Sequence, residues 1–111
     1  MADIIPTVLD GIQHIETCWA MPPSLPYAVY HDRTTRRGAD LYNGITEHNI
    51  TIELYAQKPA EDLEALIEQR LDALGLEYVR EERMWIDTEH FFETVYDFTS
   101  VSYTHLTLPT T

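Results

Sequence analysis

The run Ile50-Thr51-Ile52-Glu53-Leu54-Tyr55-Ala56 constrains the fold of this chain more than any other segment of it. Successive side chains of a strand point to opposite faces, so Ile50, Ile52, Leu54 and Ala56 share one side and Thr51, Glu53 and Tyr55 the other. One face is core and one is wet, which is the pattern of an antiparallel sheet covered on a single side. The strand is read over 45–56, starting after Asn43-Gly44. Its natural partner is 27–35, which begins apolar with Tyr27, Ala28, Val29 and Tyr30 and then turns polar, as a strand leaving a core would. Residues 36–43 then form the long tip of a hairpin, a common place for recognition.

Two helices are predicted around this hairpin. Ile4, Ile5, Val8, Leu9 and Ile12 recur at three- and four-residue spacing, giving a short amphipathic helix over 3–13 with Pro6 in its first turn and Gly11 near its end. The second starts at Pro59, carries Glu61, Asp62 and Glu64 where the helix dipole favours negative charge, and stops at Gly75. Leu63, Leu66, Ile67, Arg70, Leu71 and Leu74 share one of its faces. Residues 15–19 read as a short extended piece, and Pro22, Pro23 and Pro26 make 21–26 an extended connector.

After the second helix, 76–86 and 89–99 read as two strands joined by a turn near Asp87-Thr88. Leu76, Tyr78, Met84 and Ile86 mark one side of the first, interrupted by Arg80 and Glu82; Phe92, Thr94, Tyr96 and Phe98 mark one side of the second. The expected architecture is α+β, in the order α-β-β-α-β-β, with a sheet of about four mostly antiparallel strands carrying both helices on one face.

The 111 residues suffice for one small domain, assigned to 1–100. The last eleven residues, 101–111, contain no Asp, Glu, Lys or Arg; Ser-Tyr-Thr-His-Leu-Thr-Leu-Pro-Thr-Thr resembles translated sequencing-adapter read-through and is set apart as a non-native tail. Nineteen acids against seven basic residues give a formal charge of -12, which argues against nucleic acid as the primary partner. A single cysteine, Cys18, cannot close an internal disulfide, and its expected role is a small buried thiol. The amino terminus lacks the pattern of a signal peptide, and no window approaches the run of about 18 apolar residues of a membrane span.

No residue set suggests chemistry. His14 and Cys18 stand four apart, as two metal ligands on a helix could, but no second His or Cys pair accompanies them. Glu81, Glu82, Asp87, Glu89 and Glu93 offer carboxylate pairs, which in so acidic a chain read as a solvated face. The four glycines are isolated, so no phosphate loop is present. The expectation is therefore a non-enzyme with no catalytic, cofactor-binding or metal-binding residues. Trp85, Phe91, Phe92, Tyr96 and Phe98 read as hairpin core, with Trp19 and Trp85 the aromatics to watch, since an outward Trp often marks an interface hot spot.

Arg33, Arg36 and Arg37 place three of the seven basic residues in one segment that ends Gly38-Ala39-Asp40. One reading is a solvated loop whose arginines pair with Asp32 and Asp40. The other is an electrostatic key for an acidic partner, including a second copy of this chain.

Tyr27-Ala28-Val29-Tyr30, the loop ending Gly38-Ala39-Asp40, the strand Ile50-Thr51-Ile52-Glu53-Leu54-Tyr55, the helix 63–74 with Gly75-Leu76 and the final aromatic hairpin together resemble small phage tail-completion proteins, the head-tail joining and tail-terminator proteins of siphophages and prophages. The resemblance covers about residues 12–99 and rests on pattern and order. It implies a structural protein of the virion tail, assembled in the host bacterial cytoplasm. Such a protein forms a ring of its own copies, usually a hexamer, that ends the tail tube and meets the head connector. Its partners would be itself, the tail tube protein and connector proteins, with DNA passing through an acidic lumen and no membrane involved. Arg33, Arg36, Arg37, Asp40 and Trp85 are the candidate interface residues. The alternative is a small acidic regulatory domain that binds a protein partner without catalysis.

Overall fold

The structure, a computed structural model, describes residues 4–38 and 43–105. It is mostly sheet. Eight elements follow in order: α1 (Ile4–Val8), β1 (His14–Glu16), β2 (Tyr27–Arg37), β3 (Asn43–Ala56), α2 (Glu61–Ala73), β4 (Tyr78–Arg80), β5 (Met84–Ile86) and β6 (Phe91–His105). All six strands join one mixed sheet in the order β1-β2-β3-β6-β4, with β5 also paired to β6. The expected four-stranded α-β-β-α-β-β arrangement is thus corrected in two places.

The first correction is at the amino-terminal side. The helix predicted over 3–13 is only Ile4–Val8, because Gly11 takes a left-handed backbone (φ +79) that turns the chain back. The chain then enters the sheet as β1, parallel to β2 with His14 opposite Ala28 and Glu16 opposite Tyr30. A parallel pair needs a long crossover, and the proline-rich connector supplies it. Gln13 holds the crossover closed: its amide donates to the carbonyls of Ser24 at 3.0 Å and Pro26 at 3.1 Å.

The second correction is in 76–86, predicted as one strand. It is two three-residue strands, β4 and β5, separated at 81–83, and both pair with β6. Arg80, still within β4, and Arg83, in the break, both turn to carboxylates of α2.

The core lies between one sheet face and the two helices. Ile50, Ile52, Leu54, Ala28, Tyr96 and Phe98 from the sheet meet Ile5, Val8, Leu9, Ile12, Ile67 and Leu71. Helix α2 ends as its sequence demands: Gly75 (φ +71) donates to Asp72 O and Leu76 to Leu71 O at 3.0 Å, the paired bonds of a Schellman stop. Arg70, one turn earlier, donates to the carbonyls of Val8 at 3.0 Å and Asp10 at 2.8 Å, so that α2 fastens the end of α1. No helix among the described residues is long and apolar enough to cross a membrane.

Candidate functional site

Three strands run past the end of this core. β2 and β3 stay paired to Arg37 opposite Ile45, and β3 and β6 to Asn43 opposite His105. Residues 32–37 and 43–49 therefore form a ribbon beyond the helices, along which β6 continues through 99–100 into 101–105, the first residues of the segment set apart above as a tail. The radius of gyration is 16.8 Å, against about 13 Å for a compact chain of this length. The outer edge of β2 loses its neighbour after Tyr30, where β1 ends, and β6 has no neighbour on that side beyond Phe98 among the described residues.

The ribbon carries the three arginines. They stand in β2, not in a loop: the predicted tip began at residue 36, but cross-strand bonds to Thr46 and Ile45 hold Arg36 and Arg37 in the sheet. Alternation then separates them. Arg33 and Arg37 point to the sheet face opposite the helices, while Arg36 is on the helix side, past the reach of either helix. Arg37 pairs with Glu47 at 3.3 Å, an exposed contact of small worth. Arg33 and Arg36 have no ion-pair partner among the described residues. The anticipated pairing with Asp32 does not form, because Asp32 accepts from His48 Nδ1 at 2.8 Å and from Thr34 at 3.0 Å. Asp40 lies outside the described residues.

The face opposite the helices is the second component. Trp19, Tyr27, Tyr55 and Phe91 make a row across it, with successive ring centroids 6.1, 5.5 and 4.7 Å apart. Glu53 accepts from the Tyr55 hydroxyl at 3.0 Å and pairs with His31 at 3.2 Å. Burial first, then the charges of Glu53 and Glu93, hold the Tyr55 phenol far above its ordinary range, so it remains a neutral donor. Between this row and the ribbon the face is concave: a trough of about 890 Å³ is lined by His31, Arg33, Thr51, Asp97, Val79 and their neighbours. Val79 and Met84 are exposed on the same side.

Trp85 is elsewhere. It lies in β5 on the helix side of the sheet, packs on Phe92 at 4.9 Å, donates weakly to Asp87 at 3.4 Å and is half exposed. It is thus not brought together with the arginines. Cys18, expected to be buried, is exposed.

The residue that the sequence did not single out is Glu64. It sits on α2 at 2% exposure and accepts from Arg83 Nε at 2.8 Å, Arg83 Nη2 at 2.6 Å and Thr94 Oγ1 at 2.6 Å. Arg80 stands 3.7 Å away and bonds Glu68 at 3.1 Å, while the Tyr96 hydroxyl donates to Glu68 at 2.8 Å. Hydrogen bonds from Arg83, then from Thr94, hold the Glu64 carboxyl below its ordinary range despite burial. A general acid needs the opposite shift. Its lone pairs are spent on the chain itself, so the network fastens the 80–83 break to α2. Of the acids considered for hydrolysis, Glu81 and Glu82 line the same shallow pocket as Glu64 but are exposed, as are Asp87 and Glu89, and Glu93 points to the opposite face of the sheet beside Tyr55. Among the described residues no three His, Cys, Asp or Glu side chains gather as metal ligands.

No model of a known protein family matches the chain, and no curated protein matches it in sequence.

Proposed function

We propose that this chain is a structural subunit that assembles with its own copies into a ring, of the kind that ends a phage tail tube and joins it to the head connector. The observation that carries this reading is the ribbon. A strand extension beyond the helices whose outer edges find no partner among the described residues is costly for a protein that works alone, since unpaired strand edges invite indiscriminate association. In a ring each edge and face meets a neighbour, and the liability becomes the joint.

Charge agrees with this. A lumen lined by an acidic chain repels phosphate and lets DNA slide through without being held. The polar interior around Glu64 is consumed in fastening, which suits a scaffold. The subunit would work in the virion tail after assembly in the bacterial cytoplasm, against the tail tube protein on one side and connector proteins on the other.

Mass photometry and negative-stain electron microscopy of the chain, alone and with purified tail tubes, test the proposal. Closed rings, free or at tube ends, are the expected result. A chain that stays monomeric at high concentration and leaves tube ends bare would refute it and favour the acidic regulatory domain.

A further inference from the structure

The ribbon and the uncovered face differ in charge in a way that identifies what sits where. Among the described ribbon residues three arginines stand against two acids, Asp32 and Glu47; Arg37 pairs with Glu47 and Asp32 bonds His48, so Arg33 and Arg36 have no ion pair there. The rest of the chain is the reverse. With Asp32, Asp40 and Glu47 set aside, sixteen of the nineteen acids remain, against Lys58, Arg70, Arg80 and Arg83. Of those four, Arg70 is committed to the end of α1 and Arg80 and Arg83 to α2 carboxylates.

We infer that the aromatic, acid-bearing end of the uncovered face is the seat for the arginine ribbon of a second copy, a contact that rests on the ring reading and names its joint. In the outward rows of the strands there, the partly exposed Tyr27, Tyr55, Glu53, Glu93 and Val95 include no basic residue, while Val29 between them is buried. Glu89, exposed in the turn before β6, adds its charge close to Tyr27. A guanidinium group is suited to this surface because it stacks on an aromatic face and bonds a carboxylate with its edge at the same time. Two copies of a chain with charge -12 repel at long range. The ribbon is the part of each copy that the other attracts, so approach is steered ribbon first.

Seat and ribbon are different patches of one chain, so the contact is head-to-tail and adds copies in one direction until rotation closes it. Arg33 and Arg36 project from opposite faces of the ribbon, and only one of these faces can lie down on the seat.

A charge-exchange series on the full chain tests this, read by sedimentation velocity with circular dichroism as the control for folding. Arg33→Glu/Arg36→Glu is expected to weaken self-association by about tenfold or more, and Glu89→Arg/Glu93→Arg by a similar factor. Equimolar mixing of the two folded variants is expected to restore association toward the parental level, because each supplies the charge that the other lacks. The single arginine variants show which ribbon face is down. A mixture no better than either variant alone, with both folded, overturns the inference while leaving ring formation by another surface intact. Restored association without capping of tail tubes supports the joint and counts against the tail role. A parental chain that is monomeric throughout overturns both.

Discussion

Removing the Arg83 guanidinium isolates the energetic role of the buried network. In Arg83→Met the methylene stem remains, but Glu64 loses the bidentate pair at 2.8 and 2.6 Å and keeps only Thr94 and the distant Arg80. Glu64 is 3% exposed at its side chain and Arg83 29%, so screening by water discounts the pair little. Breaking a buried ion pair from one side costs about 3–5 kcal/mol, and the lower end applies because Arg80 can move toward the vacated carboxylate. A loss of about 3 kcal/mol corresponds to a fall of roughly 12 °C in midpoint for a chain of this size. Urea and thermal unfolding followed by circular dichroism at pH 7 measure it.

The same variant has a signature in pH. The Glu64 carboxyl titrates lower in the folded chain than its ordinary 4.5, so its stabilisation is complete above that value and is lost as pH falls through the lowered one. In Arg83→Met burial acts without its main counterweight, and the carboxyl takes up its proton at higher pH than in the parent. The stability gap between the two proteins should therefore narrow as pH falls below about 5. A gap under about 1 kcal/mol at pH 7, or one that stays constant down to pH 3, would refute the account of this network.

Three other outcomes follow from single contacts. Thr94→Val takes one donor from the buried Glu64 carboxylate and should cost about 1–2 kcal/mol by urea unfolding. Gly75→Ala meets no atom within 4 Å, so any loss comes from the left-handed backbone alone, and about 1 kcal/mol is expected in a thermal scan. Thr17 is exposed, β-branched and held at φ 74, so Thr17→Asn should raise the midpoint by a few degrees, equivalent to about 1 kcal/mol.

Residues whose signal is local were legible in the sequence, and those whose partners are distant were not. The alternation at 50–56 places Ile50, Ile52, Leu54 and Ala56 inside, as found, and the Leu71–Gly75 stop closes α2. Strand β1 is three residues with no alternation, and its place is fixed by backbone bonds to β2 across a connector, which no periodicity reports. The charge run Arg80-Glu81-Glu82-Arg83 interrupts its strand visibly. That the interruption splits the strand depends on Glu64 and Glu68 waiting on α2, and both acids look like ordinary helix surface residues. The expected strand ends at residue 35, whereas pairing with β3 needs only backbone and carries Arg36 and Arg37 into β2. The separation of the arginines onto two faces follows from that pairing and was invisible without it.

The ribbon also divides the molecule in time. Backbone bonds around Ile50, Ile52 and Leu54 open only when the core opens, whereas the side chains of 33–37 are exposed and leave the backbone bonds of that stretch less protected. Amide hydrogens in the isolated chain should therefore exchange in two populations, the central rows at the rate of global unfolding and the ribbon far faster. Docking on a neighbour would merge the two, so slowed exchange along the ribbon is a clock for assembly that runs before any ring is large enough to see.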